Sequence, residues 1–202
     1  MLPLWLDLVS RKAVVFGGGP VGRRKAIYLA QEAEVIVVSD TFDGDLPSSV
    51  RTVQGKAEDH LVSMVEWADL VVAATNDPNL NESIAREAER RGKWCNRADG
   101  ISTFLIPSVV ERERYKVAVS TEGRSPGMSR YLRKVLDERL DRRFDLMITL
   151  QEELREAAKE AVQSQKEREQ RLWQVLDDER VWDLLEKDPQ EARRLAHGIV
   201  VR

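Results

Sequence analysis

Residues 14–26 read VVFGGGPVGRRKA, an apolar β-branched run that enters a glycine-rich turn and passes at once into a helix-favouring segment. Three of its glycines, Gly17, Gly19 and Gly22, have the G-x-G-x-x-G spacing of a dinucleotide-binding loop. Such a loop needs glycine because the backbone turns tightly and approaches a diphosphate closely, in front of the amides of a helix N-terminus. A tight β–α turn without a ligand has the same outline, but the strand before the loop and the helix after it favour nucleotide binding. The residues that we predict to hold the cofactor here are Gly17, Gly19, Pro20, Val21 and Gly22.

An acidic residue follows at the distance expected for the ribose of such a nucleotide. The next apolar run, VIVVS at residues 35–39, is closed by Asp40, which stands about 20 residues beyond the loop. A carboxylate at this position hydrogen-bonds a ribose 2′-hydroxyl and repels a 2′-phosphate. The sequence therefore predicts NAD as the cofactor, with Asp40 at its ribose.

The composition indicates a globular protein with a sizeable core. The chain has 202 residues, of which 42% are hydrophobic and 33% charged, and its net charge is −3. This balance argues against a nucleic-acid binder driven by bulk charge, and no apolar run approaches the roughly 20 residues that a membrane-spanning helix needs. The opening apolar residues are too few for a secretion signal and lack a basic lead, and the single Cys95 fits a reducing compartment. We therefore expect a cytoplasmic protein with no nucleic-acid and no membrane partner.

Short apolar runs alternate with helical patterns over residues 12–120. Strands are predicted at residues 13–16, 34–39, 51–54, 70–74, 93–96 and 116–120, and helices at residues 21–31, 58–67 and 80–91. This alternation builds a parallel sheet with right-handed crossovers, and the LVVAA run at residues 70–74 is apolar throughout, as in a strand covered on both faces. The apolar residues 4–6 form either a first strand or a lead-in that packs on this domain. The predicted fold class is α/β, with a Rossmann-type parallel sheet.

Helical patterns replace strands in the rest of the chain. Ser125 and Pro126 form a helix start, and apolar residues then recur in steps of three and four as far as Ile148, which predicts one long amphipathic helix. This helix buries its apolar face on its own chain or on a second subunit; we favour a homodimer, because such a stripe also serves as an isologous interface. Residues 151–170 form either a solvated helix or a poorly ordered connector, and the DPQE sequence at residues 188–191 opens a last helix. The predicted domains are residues 1–120 (cofactor binding), 121–150 (helical dimerisation region) and 151–202 (C-terminal helical domain).

Polar residues stand after the fourth and fifth predicted strands, at the sheet edge where a doubly wound fold binds its ligand. After the fourth strand, Thr75 and Asn76 are predicted to hydrogen-bond the ribose or adenine of the cofactor, and Asp77 is placed to cap the next helix. After the fifth strand, Asp99 is the carboxylate that we select as general base, although an aspartate before glycine also occurs in plain turns. The neighbours of this aspartate that we predict to bind substrate are Asn96 and Arg97.

A second anion site is predicted where the strand at residues 116–120 meets a glycine turn, a basic residue and a helix start. Its candidate substrate-binding residues are Thr121, Arg124 and Ser125. A helix cap alone explains Ser125 but does not require Arg124. No clustered His and Cys spacing is present in the sequence, so no metal site is predicted.

Several separate motifs together resemble a known family. They are LWLDL at residues 4–8, VVFGGG at 14–19, RKA at 24–26, AATND at 73–77, CN at 95–96, IPS at 106–108, VST at 119–121 and SP at 125–126. In this order they are similar to the precorrin-2 dehydrogenases, the NAD-dependent part of siroheme synthase. The resemblance covers roughly residues 4–140 and is far more specific than the glycine loop by itself.

The resemblance implies that precorrin-2 is oxidised to sirohydrochlorin with NAD as acceptor, in the synthesis of siroheme and related tetrapyrroles. It also implies a homodimer formed through the region that follows the Rossmann domain. The key aspartate of the family falls on Asp99. The reaction is consistent with transfer of one hydride to nicotinamide and of one proton to a carboxylate or to solvent. The carboxylates of the substrate would bind the arginines of this chain.

Two features depart from the family pattern. The segment from Asp99 to Phe104 is shorter than usual, with Ile101 where proline often stands, and Asp40 replaces a residue that is small or neutral in many members. Some members also insert iron into sirohydrochlorin, so a bifunctional dehydrogenase and ferrochelatase is the nearest alternative. A non-catalytic, NAD-sensing dimer is the alternative from a different class of protein.

Overall fold

The structure is a computed structural model, and it describes residues 1–201. It divides into two compact units, Met1–Ile106 and Pro107–Arg202. Residues 107–120, which the sequence assigns to the cofactor-binding domain, thus belong to the second unit, which otherwise consists of helices.

The first unit alternates strands and helices. Its elements are β1 (Lys12–Gly18), α1 (Pro20–Leu29), β2 (Glu34–Phe42), β3 (Val50–Gln54), α2 (Ala57–Trp67), β4 (Leu70–Ala73), α3 (Pro78–Arg90) and β5 (Trp94–Arg97). The five strands form one parallel sheet in the order β3-β2-β1-β4-β5. The strand order reverses between β1 and β4, which is where doubly wound sheets bind ligands. The predicted α/β class with a Rossmann-type parallel sheet is confirmed.

The two inner strands β1 and β4 are buried on both faces of the sheet, which explains why their residues are almost all apolar, whereas the edge strands β3 and β5 carry polar and exposed residues. Successive β1 residues point to opposite faces. Val14 and Phe16 lie in the core that α2 and α3 cover, whereas Ala13 and Val15 lie in the core that α1 covers. Full burial of a Val or Phe side chain is worth about 1.5–3 kcal/mol relative to exposure. The two cores hold the carboxyl ends of β1, β4 and β5 together at one edge of the sheet.

The opening apolar residues form no strand. Leu4 and Trp5 are exposed, Trp5 to 68%, and Leu8 is the first residue of this segment that packs on the sheet core. The strand interpretation of residues 4–6 is therefore wrong. The reason is that β2 and β4 already occupy both sides of β1, so the residues before β1 find no free edge of that strand.

The second unit begins with a hairpin and continues with helices. Its elements are β6 (Ser108–Glu111), β7 (Lys116–Val119), α4 (Pro126–Arg139), α5 (Arg142–Ala161), α6 (Gln165–Asp177), α7 (Glu179–Lys187) and α8 (Pro189–Val201). The strand predicted at residues 116–120 is β7, but it pairs antiparallel with β6. The prediction that it extends the parallel sheet is wrong, because residues 112–115 are too few for a crossover of about a dozen residues.

The long helix predicted over residues 125–148 is two helices, α4 and α5, that part at Leu140. Asp141 caps α5 by accepting a hydrogen bond from the amide two residues later at 2.9 Å. The Leu140 carbonyl accepts hydrogen bonds from Arg112 Nε at 3.0 Å and from the Tyr115 hydroxyl at 3.3 Å. The apolar spacing continues across the break, but the capping carboxylate and these two donors stabilise the interruption.

Asp141→Ala is expected to lower the free energy of unfolding by about 1 kcal/mol at neutral pH, as is typical for loss of a helix N-cap. Hydrogen bonding from the Arg143 guanidinium lowers the pKa of Asp141 below its ordinary value. The stabilisation is therefore present above the unfolded-state pKa of about 3.9 and is lost as the pH falls through the lower folded-state value. Urea unfolding of both proteins at neutral and acidic pH measures the difference. Asp177→Ala, which removes an exposed carboxylate at the end of α6, is the control, and an equal loss in both variants would contradict the capping role.

The last four helices form a core of their own. The tail at residues 151–170 is helical apart from a break at residues 162–164, and Leu154 and Ala158 of its thin apolar stripe are buried in this core. Of the two alternatives for this segment, the helical one is correct, but the segment belongs to two helices and its apolar stripe is packed in the core instead of being solvated. Asp188 accepts a hydrogen bond from the Glu191 amide at 3.0 Å at the start of α8, as predicted. Within residues 1–201, no helix combines the length and the apolar character needed to span a membrane.

Candidate functional site

The glycine loop joins β1 to α1 through close backbone contacts. Gly17 has a φ of +110°, and a Cβ on it would lie 2.3 Å from the Ala74 carbonyl oxygen. A Cβ on Gly22 would lie 1.9 Å from the Gly17 carbonyl oxygen. At Gly19, by contrast, a Cβ would meet no atom within 4 Å. Gly17 and Gly22 are thus required by packing, whereas Gly19 borders open space in front of α1.

The start of α1 has the properties of an anion site. Its N-cap is Gly19, which makes no side-chain cap, and its first turn contains no acidic residue. The first N–H groups of a helix have no intrahelical acceptor, and the helix dipole favours a negative charge in front of them. Pro20 has no N–H, so Val21 and Gly22 supply the first amides. The loop therefore fits the diphosphate of a dinucleotide.

Asp40 lies near the carboxyl end of β2, beside this loop. The β1–β2 ladder shifts its register between Phe16 and Gly18, and Asp40 lies on the part of β2 that faces the shift. Its backbone carbonyl accepts a hydrogen bond from Gln54 Nε2 at 3.4 Å, and its side chain is exposed. The carboxylate is thus accessible next to the glycine loop, where the sequence predicts the ribose.

Thr75 is held by Asn81, a residue that sequence reasoning missed. Asn81 Oδ1 accepts hydrogen bonds from the Thr75 amide at 3.0 Å and the Thr75 hydroxyl at 2.8 Å, and its Nδ2 donates to the Thr75 carbonyl at 3.1 Å. The Thr75 hydroxyl also accepts from the Asp77 amide at 3.2 Å, and Asp77 caps α3 as predicted. This loop therefore uses the Thr75 hydroxyl internally, while Asn76 is exposed.

Asp99 lies just beyond β5 in a cluster of polar side chains. Its Oδ2 accepts a hydrogen bond from Asn81 Nδ2 at 3.1 Å, and its Oδ1 accepts one from Arg97 Nε at 3.3 Å. Burial acts to raise the pKa of Asp99, but the hydrogen bonds from Asn81 and Arg97 outweigh it, so the pKa lies below its ordinary value. Asp99 is therefore ionised at neutral pH, as a proton acceptor must be.

The Arg97 guanidinium is committed to carboxylates within the protein. It forms ion pairs with Glu82 and Asp99 and is only 14% exposed. Gly100 makes room for it, since a Cβ at that position would lie 2.6 Å from Arg97 Cζ. A carboxylate of the substrate would compete with Glu82 and Asp99 for Arg97, so the predicted role of Arg97 in substrate binding stays a prediction.

Asn96 connects β5 to α1 through Lys25. Asn96 is buried; its Nδ2 donates to the Phe104 carbonyl at 2.8 Å, and its Oδ1 accepts from Lys25 Nζ. Burial lowers the pKa of Lys25, and the neighbouring Arg24 lowers it further, while Asp99 opposes both effects. Sequence reasoning did not select Lys25 as a site residue, although it lies in the RKA motif one turn into α1. The structure places it near Asp99.

The segment between Asp99 and Phe104 folds back along β5. The Thr103 hydroxyl accepts from the Cys95 amide at 2.7 Å, and the Thr103 amide donates to the Cys95 carbonyl at 2.8 Å. The Ser102 hydroxyl accepts from the Arg97 amide at 2.8 Å. These bonds occupy the backbone groups at the edge of the sheet, so the short segment keeps Asp99 in a defined place.

The other predicted substrate residues lie in the second unit, between β7 and α4. Ser120, Thr121, Glu122, Arg124 and Ser125 line a cavity of about 500 Å³ there. Ser125 caps α4 by accepting from the Met128 amide at 3.2 Å, and the Thr121 hydroxyl accepts from the Ser125 amide at 3.1 Å. Arg124 is 84% exposed and reaches Glu122 at 3.5 Å. Thr121 and Ser125 thus stabilise the helix start, and Arg124 projects from it.

The fold and the glycine loop define an NAD(P)-binding domain of the Rossmann type. A family model described as putative NAD(P)-binding matches residues 4–108. The described residues contain no group of three or more His, Cys, Asp or Glu side chains that could hold a metal ion.

Curated relatives identify the family more closely. A precorrin-2 dehydrogenase of Methanosarcina barkeri is 36% identical to this chain over an aligned region that covers 98% of this chain and 93% of that protein. Siroheme synthase 2 of Yersinia pestis is 35% identical over 67% of this chain, which spans only 30% of that longer protein. The solved structure of SirC, precorrin-2 dehydrogenase, has the same fold, with a TM-score of 0.71, 23% identity and coverage of 98% of this chain and 100% of that one. The chain belongs to the precorrin-2 dehydrogenase family.

Proposed function

We propose that this protein oxidises precorrin-2 to sirohydrochlorin with NAD as hydride acceptor, a step in the synthesis of siroheme. The observation that carries the proposal is the 36% identity to a precorrin-2 dehydrogenase over nearly the full length of both chains. A glycine loop that fits a diphosphate and an ionised carboxylate beyond β5 support it. Bound NAD accepts the hydride, and the protein orients the reactants and takes up the proton.

Each part of the site has a proposed role. The backbone of Gly17, Gly19, Pro20, Val21 and Gly22 holds the diphosphate, and Asp40 binds the ribose. The loop at Thr75 and Asn76 faces the nucleoside. The Thr75 hydroxyl is already hydrogen-bonded to Asn81 and Asp77, so Thr75 contacts the cofactor through its backbone. Asp99 is the proton acceptor. The residues proposed to contact the substrate are Asn96, Arg97, Thr121, Arg124 and Ser125.

The test is anaerobic incubation of the purified protein with precorrin-2 and NAD. We expect NADH and sirohydrochlorin to appear in equal amounts. Binding of NAD without any NADH would favour the NAD-sensing alternative, and calorimetry that detects no binding at millimolar NAD would overturn the cofactor site. Sirohydrochlorin and ferrous iron, supplied as substrates without NAD, test separately for ferrochelatase activity.

We also propose that the protein is a homodimer formed through α4, in the cytoplasm. On α4, Met128 and Tyr131 are exposed, Tyr131 to 60%, while α5 to α8 bury most of their apolar residues in a core of their own, with Trp173 on α6 as an exposed exception. The single cysteine, Cys95, is buried and free, which suits a reducing compartment. Sedimentation equilibrium measures the proportions of monomer and dimer, and Tyr131→Glu is expected to shift this equilibrium toward the monomer.

Asp40→Ala is expected to lower the preference for NAD over NADP, measured as the ratio of kcat/KM values, by about tenfold or more. The reason is that loss of a charged hydrogen bond costs about 1.5–3 kcal/mol, and the variant no longer repels a 2′-phosphate. Asp43→Ala is the matched control, because it removes an exposed carboxylate three residues further along the chain. Unchanged cofactor preference in the Asp40 variant would show that the ribose lies elsewhere.

A further inference from the structure

We propose that Asn81 is a positioning residue for Asp99, and that it couples the cofactor-side loop at Thr75 to this carboxylate. The inference rests on the proposed function and adds to it a residue that sequence reasoning did not select. Asn81 lies in the first turns of α3, between the loop that follows β4 and the segment that follows β5.

The location of Asn81 on its helix is unusual for an amide. The buried residues of α3 are Asn81, Ile84 and Ala88, which recur at helical spacing on the face that packs on the sheet. Asn81 is 1% exposed, and a buried amide is costly unless its hydrogen bonds are made. Packing alone favours an apolar residue at this position, so the reason for an amide here must lie in the hydrogen bonds that it makes.

The hydrogen bonds of Asn81 are complete and fix its orientation. A side-chain amide has two acceptor sites and two donor hydrogens. Oδ1 accepts from the Thr75 amide and hydroxyl, and Nδ2 donates to the Thr75 carbonyl and to Asp99 Oδ2. The Thr75 N–H can only donate, so Oδ1 must face it and Nδ2 must face Asp99. One side chain thus joins the backbone of the cofactor-side loop to one oxygen of the carboxylate.

Asn81 holds Asp99 in a way that Arg97 alone does not. Arg97 is shared with Glu82, whereas the Nδ2 hydrogen of Asn81 that points at Asp99 serves only that oxygen. Two donors on different oxygens fix the rotation of the carboxyl group and favour its charged form. The charged groups around Asp99 are Arg97 on β5, Glu82 on α3 and Lys25 on α1.

Asn81→Asp tests the coupling with almost no change in shape. The substitution replaces the donor with a charged acceptor against Asp99 Oδ2 and the Thr75 carbonyl. We expect the acid limb of the kcat profile to move up by about one pH unit or more, because a nearby like charge raises a carboxyl pKa. At neutral pH Asp99 stays ionised, and we expect kcat to fall at least about tenfold there because the carboxylate loses its fixed orientation. Asn79→Asp is the matched control: it adds the same charge to the exposed face of the same helix turn, and we expect its profile to match the wild type.

A second readout does not depend on turnover. The Asp99 carboxyl can be titrated by ¹³C NMR in the cofactor-free protein, with Asp99→Asn assigning its signal. We expect an upward shift of about one pH unit or more for Asn81→Asp and none for Asn79→Asp. If Asn81→Asp does not fold, Asn81→Ser, which keeps a shorter donor, is expected to give a smaller shift in the same direction.

The failures of the two proposals are distinguishable. If the wild-type protein produces no NADH from precorrin-2, the proposed function fails, and the NMR titration still tests the link between Asn81 and Asp99. If the wild type is active and the acid limb and the Asp99 titration are the same in the Asn81 variants, Asn81 has no positioning role.

Discussion

Asp99→Ala is expected to lower kcat for precorrin-2 oxidation by about 10²–10⁴-fold, the range usual for loss of a general base. The carboxylate is ionised at neutral pH, and the hydrogen bonds that Asn81 and Arg97 donate to its two oxygens lower its pKa further. Affinity for NAD should change little, since Asp99 lies beyond β5 and not in the glycine loop. Stopped-flow measurement of NADH formation gives kcat, and calorimetry gives the dissociation constant of NAD.

The controls for this experiment separate charge from structure. Asp59→Ala removes an exposed carboxylate on α2 and is expected to leave kcat unchanged. Asp99→Asn keeps the size of the side chain but cannot accept a proton, so it should be as slow as the alanine variant and should lose the acid limb of the pH profile. A turnover rate close to the wild type in both Asp99 variants would mean that solvent takes the proton.

The second large effect is expected from substitutions of two glycines in the glycine loop. One substitution should destabilise the fold, and the other should weaken only the binding of NAD. Gly22→Ala places a methyl group 1.9 Å from the Gly17 carbonyl oxygen, so α1 must move away from β1. We expect a loss of about 3 kcal/mol or more of stability, at the upper end of what overpacking costs. Circular dichroism during urea unfolding measures this loss, and NAD binding should disappear with it.

Gly19→Ala should leave the fold intact and still weaken the binding of NAD. Its φ is −71° and a Cβ there meets no protein atom within 4 Å, so alanine fits the apoprotein. In the proposed cofactor site the added methyl group would lie where the diphosphate approaches α1, and we expect a loss of affinity of about tenfold or more, equivalent to about 1.4 kcal/mol. Wild-type NAD affinity in this variant would place the diphosphate elsewhere, and normal stability of Gly22→Ala would contradict the packing.

The loop at residues 14–26 and the five parallel strands were predictable because their signals are local. A strand covered on both faces is apolar throughout, a tight turn needs glycine, and a capping side chain marks the start of many helices, as at Asp77, Ser125 and Asp188. Each of these preferences depends on residues that are close together in the chain. The sequence by itself thus determined the class of fold and the place of the glycine loop, while the choice of Asp99 as proton acceptor stays a prediction.

Only the tertiary structure decided which side chains surround Asp99. Asn81 is 18 residues from Asp99 in the chain and Lys25 is 71 residues from Asn96, and these pairs meet because separate strands bring their carboxyl ends to one edge of the sheet. The break at Leu140 likewise depends on Arg112, 28 residues away. A buried polar residue such as Asn81 has no periodic signal, because its position is stabilised by partners that only the folded chain brings into contact.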